Sequence, residues 1–184
     1  MRCIALIFGL FYCSNIIAQQ KPTDLDKSPL DVSYCPPNYP ILKMNGKTTV
    51  APVARIIYSR PQCNGRTIFG ETVVYNQIWR LGANEATEFE CFKNVNAGGK
   101  LIPKGRYSLY ALCTADKWTL IINAEKDVWG LTYNPKKDVA RLEVPVQHLL
   151  EKTESFTMYF DTTNTGANLH IMWDDVKVIV PFTF

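Results

Sequence analysis

The chain has 184 residues, with 20 Lys and Arg against 17 Asp and Glu, and a formal net charge of +3. Charges of both signs are interspersed, whereas a protein that neutralises a phosphate backbone carries a basic stripe or arm, so we expect no nucleic-acid partner. The length suits one domain with a single core.

Residues 1–18 have the layout of a secretory signal peptide. Arg2 precedes an apolar run from Cys3 to Tyr12, and Ala18 stands before the polar Gln19. The run is shorter than the roughly 20 residues that a membrane-spanning helix needs. We therefore predict export to the periplasm or the extracellular space, with no stable membrane insertion after cleavage. The alternative is an uncleaved N-terminal anchor.

Residues 19–46 are polar and rich in proline, as in "KPTDLDKSPLDVSYCPPNYPI". A composition with few periodic apolar positions predicts a flexible or loosely docked lead-in. The alternative is that the tyrosines of "SYCPPNYPI" pack this segment as an arm on the domain surface.

Residues 47–184 change to short runs of alternating apolar and polar residues, rich in Val, Ile, Tyr, Phe and Thr and separated by turn residues. This pattern predicts β-strands, at 53–60, 86–93, 105–113, 118–123, 139–144, 155–161, 167–173 and 176–182. "VNAGGKLI" predicts a tight hairpin at Gly98 and Gly99, and Asp174 and Asp175 predict a second turn. "PVQHLLEK" is compatible with a short helix. The predicted fold is a single-domain, all-β, antiparallel β-sandwich of about eight strands, with a closed barrel as the alternative.

Four cysteines follow the leader, at Cys35, Cys63, Cys91 and Cys113. Alternation in "TEFECFK" and "RYSLYALC" turns Cys91 and Cys113 toward the core. They form either a disulfide or two small buried thiols, and the pattern does not choose between them. No C-x-x-C spacing is present, and His148 and His170 stand alone, so we predict neither a metal nor a cofactor.

The stretch "IWRLGANEATEFE" holds the candidate site. Trp79 and Arg80 precede Gly82, and Asn84 can close a turn through its side chain. Glu85 can then accept a bidentate hydrogen bond from Arg80, or from an arginine of the preceding loop. One interpretation is therefore structural: an ion pair, with the indole stacked on it, fastens an irregular loop to the sheet.

The second interpretation is a ligand site at one end of the sandwich. Arginine forks bind planar anions and aromatic faces stack on sugars, so the cluster suits an anionic or sugar-like ligand. The candidate residues are Tyr58, Arg60, Arg66, Trp79, Arg80, Asn84 and Glu85. Trp129 can add a wall. The two interpretations can coexist if only some of the arginines are paired.

Several phrases together resemble a family of secreted bacterial proteins known as a domain of unknown function (DUF 2911). They are "YSRPQCNGRTIFG" (58–70), "IWRLGANEATEF" (78–89), "GGKLIPKGRYSLYAL" (98–112) and "KWTLIINAEKDVWG" (117–130). The resemblance extends over roughly residues 51–184 and implies an exported β-rich domain, with no activity to carry over. Cys63 departs from the small or apolar residue usual at its place, which argues against a shared role for this thiol.

Catalysis has weaker support than binding. Neither histidine lies in a hydrolase motif, and alternation in "TEFEC" explains Glu88 and Glu90 as a solvated strand face. We therefore predict a non-catalytic binding or envelope-associated module with an unknown small-molecule or glycan ligand. The alternatives are a cofactor-independent hydrolase acting on envelope or glycan material, with Glu85 as acid or base, and a structural subunit that pairs through a sheet edge.

Overall fold

The computed structural model describes residues 23–184, which fold into eleven strands, one short helix and a 3-10 turn. The strands are β1 (Leu30–Cys35), β2 (Ala54–Ser59), β3 (Ile78–Trp79), β4 (Glu88–Cys91), β5 (Val95–Ala97), β6 (Lys100–Ile102), β7 (Gly105–Cys113), β8 (Lys117–Asn123), β9 (Asp138–Pro145), β10 (Gln147–Thr163) and β11 (Gly166–Thr183). The helix α1 spans Tyr39–Met44, and the 3-10 turn spans Pro135–Lys137.

Two antiparallel sheets face each other across one core. The larger sheet has the order β1-β2-β4-β7-β8-β9, with β3 paired to β7, and the smaller has the order β10-β11-β5-β6. The predicted all-β sandwich is confirmed. The alternative of a closed barrel is wrong, because the strands separate into two sheets.

Strand alternation builds the core, as the sequence pattern predicts. In β11 the side chains of Val176, Val178, Val180 and Phe182 are all buried, while their neighbours face outward. The hairpin between β5 and β6 is also confirmed. Its two glycines have φ of 57° and 79°, values that side chains other than glycine rarely adopt.

The lead-in is more ordered than its composition predicts. β1 pairs with β2 along its whole length, from Leu30 opposite Ser59 to Cys35 opposite Ala54, and α1 follows. The expectation of a flexible segment is therefore wrong for residues 30–44. Pairing with β2 satisfies the backbone groups on one side of β1, which lies at the edge of the larger sheet.

Two local predictions in the C-terminal half are wrong. "PVQHLLEK" is not helical, since β10 begins at Gln147. Asp174 and Asp175 form no hairpin, because β11 runs through them with Asp174 at φ 52°. This left-handed residue lies at an irregularity opposite Thr153 and shifts the alternation, so that Trp173 and Val176 both face the core.

A disulfide between Cys91 and Cys113 does not form. Cys91 lies opposite Gly105, at the start of β7, and Cys113 is the last residue of that strand. Their separation along the strand is about 26 Å, far beyond the roughly 7 Å that a disulfide spans. All four cysteines of the described residues are buried free thiols.

Candidate functional site

The 80–87 loop connects β3 to β4 and is fastened to the sheet by hydrogen bonds. The backbone N–H of Ala83 donates to the Ser59 hydroxyl at 2.7 Å, and that hydroxyl donates to the Ala83 carbonyl. The Thr87 hydroxyl donates to the carbonyl of Leu81, whose side chain is fully buried. Gly82 has φ 149°, and a Cβ there would lie 2.8 Å from Ser59 Oγ. The loop is therefore held closely against β2.

Trp79 belongs to the aromatic core between the sheets. Its ring stacks on Trp173, with centroids 5.9 Å apart, and meets the edge of Trp118 at 5.7 Å. The indole N–H donates to the Gly82 carbonyl at 3.0 Å. Trp79 thus anchors the loop to the core, where it is half-buried.

The predicted ion pair between Arg80 and Glu85 is absent. Arg80 instead donates from Nε to the Asn84 carbonyl at 2.7 Å, and its burial lowers the pKa of the guanidinium. Glu85 is exposed, and within residues 23–184 it pairs with none of Arg60, Arg66 and Arg80. The loop is therefore fastened by hydrogen bonds to backbone carbonyls, and not by an ion pair with the indole stacked on it.

Arg60 and Tyr58 join the two sheets at the β1 edge. Arg60 donates to the Phe156 carbonyl at 3.1 Å and to Asp31 at 3.1 Å. The Tyr58 hydroxyl donates to the Met158 carbonyl at 3.1 Å, and burial raises the pKa of this tyrosine to about 12. Tyr58 of β2 and Arg60, which follows β2, thus both bond to residues of β10.

Arg66 is exposed and folds back on its own loop. Its guanidinium donates to the carbonyls of Cys63, at 3.0 Å, and Gln62. All three arginines of the predicted cluster therefore bond to groups of the protein itself. This removes most of the support for an anionic ligand.

The seven predicted residues do not converge on one cavity. Arg66, Trp79 and Arg80 line a shallow concavity of about 230 Å³. Tyr58 and Glu85 line a different one of about 210 Å³, which we call the Glu85 pocket. It is lined by Leu30, Ile57, Tyr58, Glu85, Ala86, Glu88, Tyr107, Ser108, Lys126, Asp127 and Val128.

Strand register places the centre of the Glu85 pocket on the larger sheet. Ile57 of β2 lies opposite Glu88 of β4, which lies opposite Ser108 of β7. The walls come from the 80–87 loop and from residues 124–137, which we call the Trp129 loop. These two loops are joined, because the N–H of Ala86 donates to the Val128 carbonyl at 3.1 Å.

Some charged side chains around the pocket have ion-pair partners and others do not. Arg106 binds both Glu88, with Nε at 2.9 Å from the carboxylate, and Asp127. Hydrogen bonds from Glu88 and Asp127 raise the pKa of Arg106. In the part of the chain that the structure describes, Glu85 and Lys126 have no ion-pair partner, and both are exposed. The pocket therefore offers apolar walls and one carboxylate free to accept hydrogen bonds.

Trp129 is not a wall of the Glu85 pocket. It lines a wider concavity of about 580 Å³ on the other side of Val128, which both concavities share. The sequence missed the remaining pocket residues on β4 and β7. Their signal was alternation alone, which marks Glu88 and Ser108 as outward-facing without showing that they are neighbours.

Neither histidine forms part of a set of catalytic side chains within residues 23–184. His148 is exposed, with Nδ1 3.3 Å from Asp175. His170 is only 8% exposed, and its ring stacks on the Tyr159 ring with 4.6 Å between the centroids. Its two ring nitrogens have no hydrogen-bond partner within residues 23–184, and burial lowers its pKa. Among residues 23–184, no three His, Cys, Asp or Glu side chains are grouped as metal ligands.

Together, the fold and the pocket define an antiparallel two-sheet β-sandwich with a concave site on its larger sheet. No helix in residues 23–184 is long and apolar enough to span a membrane. A family model described as "Protein of unknown function (DUF2911)" matches residues 42–182, and the chain belongs to that family. No curated protein and no solved structure matches the chain.

Proposed function

We propose that this protein is an exported, non-catalytic module that binds a polyhydroxylated, sugar-like ligand in the Glu85 pocket. The observation that carries the proposal is a concave, apolar-walled cavity with an exposed carboxylate at its rim that pairs with no described residue. Apolar walls with a few convergent polar groups are typical of small-ligand sites. Support for export comes from the leader pattern of residues 1–18, which lies outside the described residues.

The charges around the pocket favour a neutral ligand over an anionic one. Glu85, Glu88 and Asp127 line it, and the nearby cation Arg106 already bonds to two of these carboxylates. An anion would have to approach Glu85 with only Lys126 to attract it. Sugar hydroxyls, in contrast, can donate to Glu85 while the sugar ring packs on Ile57 and the apolar walls.

Binding is tested with a panel of neutral mono- and oligosaccharides, using the thermal unfolding midpoint and then calorimetry. We expect a midpoint rise with at least one sugar, and a Kd about tenfold weaker in Glu85→Ala, the loss expected from about 1.4 kcal/mol of hydrogen bonding. The matched control is Glu151→Ala, because Glu151 is another exposed carboxylate, on β10 of the smaller sheet. No midpoint change with any sugar, or equal losses in both variants, would contradict the proposal.

The second candidate is the cofactor-independent hydrolase of envelope or glycan material. One observation favours it: three carboxylates line the same pocket. However, Glu88 and Asp127 are both bonded to Arg106, so Glu85 is the one carboxylate of the three that is unpaired within residues 23–184, whereas glycoside hydrolysis uses two carboxyl groups that flank the scissile bond. Release of new reducing ends from any bound oligosaccharide, abolished in Glu85→Gln while binding persists, would establish this candidate instead.

A further inference from the structure

The Trp129 loop carries two exposed apolar side chains, which line the wider concavity described above. Trp129 is 53% exposed and Leu131 is 74% exposed. The other three tryptophans of the chain are in or against the core: Trp118 is 1% exposed, Trp173 is 2% exposed and Trp79 is half-buried. Single exposed apolar residues are common, but an exposed Trp and Leu separated by one glycine form a small apolar tip.

The loop is held so that this tip cannot fold back. At Gly130, φ is +84° and a Cβ would lie 2.9 Å from Ala86 Cβ, so the backbone rests directly on the 80–87 loop. At the other end, Asn123 donates to the Asn134 carbonyl at 3.0 Å, and the Tyr133 ring packs on Tyr110 with centroids 5.2 Å apart. Exposure of the tip is therefore a property of the fold rather than of a loose loop.

Three lysine side chains lie in the same loop as the tip. Lys126, Lys136 and Lys137 are exposed and have no ion-pair partner among residues 23–184. The acidic side chains are less fully paired: Asp127 shares Arg106 with Glu88, Asp138 next to the loop binds Arg141, and Glu125 has no ion-pair partner among residues 23–184. Three lysines and one carboxylate that are unpaired within this range thus lie in the loop that carries the apolar tip.

We infer that the Trp129 loop docks this protein on an anionic lipid surface. Tryptophan prefers the headgroup level of a bilayer, and unpaired lysines are attracted by anionic lipids. A protein partner fits less well, because two apolar side chains provide far less than the roughly 1,000 Å² of a specific interface. The docking is peripheral, and the two apolar side chains that carry it, Trp129 and Leu131, do not line the Glu85 pocket.

The test is co-sedimentation with vesicles of equal parts phosphatidylcholine and phosphatidylglycerol, compared with vesicles of phosphatidylcholine alone. The full mature protein is expected to bind the anionic vesicles and to shift its tryptophan emission to shorter wavelength, because Trp129 is the most exposed indole. The double variant Trp129→Ala/Leu131→Ala should weaken binding at least tenfold. Lys136→Gln/Lys137→Gln should weaken it by about fivefold per lysine, and binding should fall as salt rises.

A matched control lies in the β5–β6 hairpin, where Leu101 is 63% exposed between Lys100 and Lys104. The triple variant Lys100→Gln/Leu101→Ala/Lys104→Gln should bind vesicles like the parent protein. Thermal unfolding midpoints of all variants should match the parent, since every changed side chain is exposed. The inference is overturned if the parent binds neither kind of vesicle, or if the control variant loses as much vesicle binding as the loop variants. It is also overturned if the Trp129→Ala/Leu131→Ala variant binds anionic vesicles like the parent and loses only co-sedimentation with an insoluble neutral glycan.

Discussion

A double-mutant cycle on Arg80 and Glu85 tests how the 80–87 loop is held. It distinguishes hydrogen bonds to backbone carbonyls from an ion pair between the two side chains. Arg80 donates to the Asn84 carbonyl at 2.7 Å, and a hydrogen bond from a charged donor contributes about 1.5–3 kcal/mol. Because Arg80 is half-buried and water competes for it, we expect Arg80→Ala to lower the free energy of unfolding by about 1.5 kcal/mol. Glu85→Ala should change it by less than about 0.5 kcal/mol, as at an ordinary surface position.

The coupling between the two changes is the decisive quantity. Without a contact between Arg80 and Glu85, the double variant should equal the sum of the single variants within about 0.5 kcal/mol. Urea denaturation followed by fluorescence measures all four proteins. A coupling free energy above about 1 kcal/mol would show that an ion pair holds the loop. So would a loss of about 3–5 kcal/mol in the free energy of unfolding for Glu85→Ala, which is the cost of breaking a buried ion pair.

Two further predictions concern backbone contact and thiol burial. Gly130→Ala should cost at least about 1 kcal/mol more than Gly99→Ala, because both positions have φ near +80° but only a Cβ at Gly130 meets neighbouring atoms; equal urea midpoints for the two variants would contradict this contact. Burial raises the pKa of Cys91 from 9.0 to about 12, so the folded state keeps a proton that the unfolded state loses. The stability from this difference is fully present below pH 9 and is lost as pH rises from 9 to about 12, a loss that Cys91→Ala should reduce. Native thiols should also resist alkylation until unfolding, and a reductant that lowers the thermal midpoint would instead reveal a disulfide.

The "IWRLGANEATEFE" stretch has a part that holds the fold together and a part that does not. Its first half is structural: Trp79 packs in the core, and the loop is bonded to Ser59 and Thr87. The exposed Glu85 contributes to none of these bonds, and it lies at the rim of a cavity. The proposed ligand site therefore depends on Glu85, the charged side chain of the stretch that pairs with nothing in residues 23–184.

The elements of this fold follow closely from local sequence. The predicted strand at 105–113 is β7, and the hairpin at Gly98 and Gly99 forms as expected. Both signals are local: alternation with a period of two places every second side chain on one face, and paired glycines accept the positive φ of a tight turn. The family resemblance, carried by contiguous phrases, is likewise confirmed.

Only the tertiary structure decided which groups of the chain contact each other. Arg60 looked free for a ligand, but it bonds to the carbonyl of Phe156, which lies almost a hundred positions away in the chain. The Glu85 pocket exists because Ile57, Glu88 and Ser108 are register partners on three strands. Residue types and spacing predict which face a side chain occupies, because that depends on its own strand. Which groups then meet depends on pairings between distant segments, whose relative positions are set by burial of the shared core.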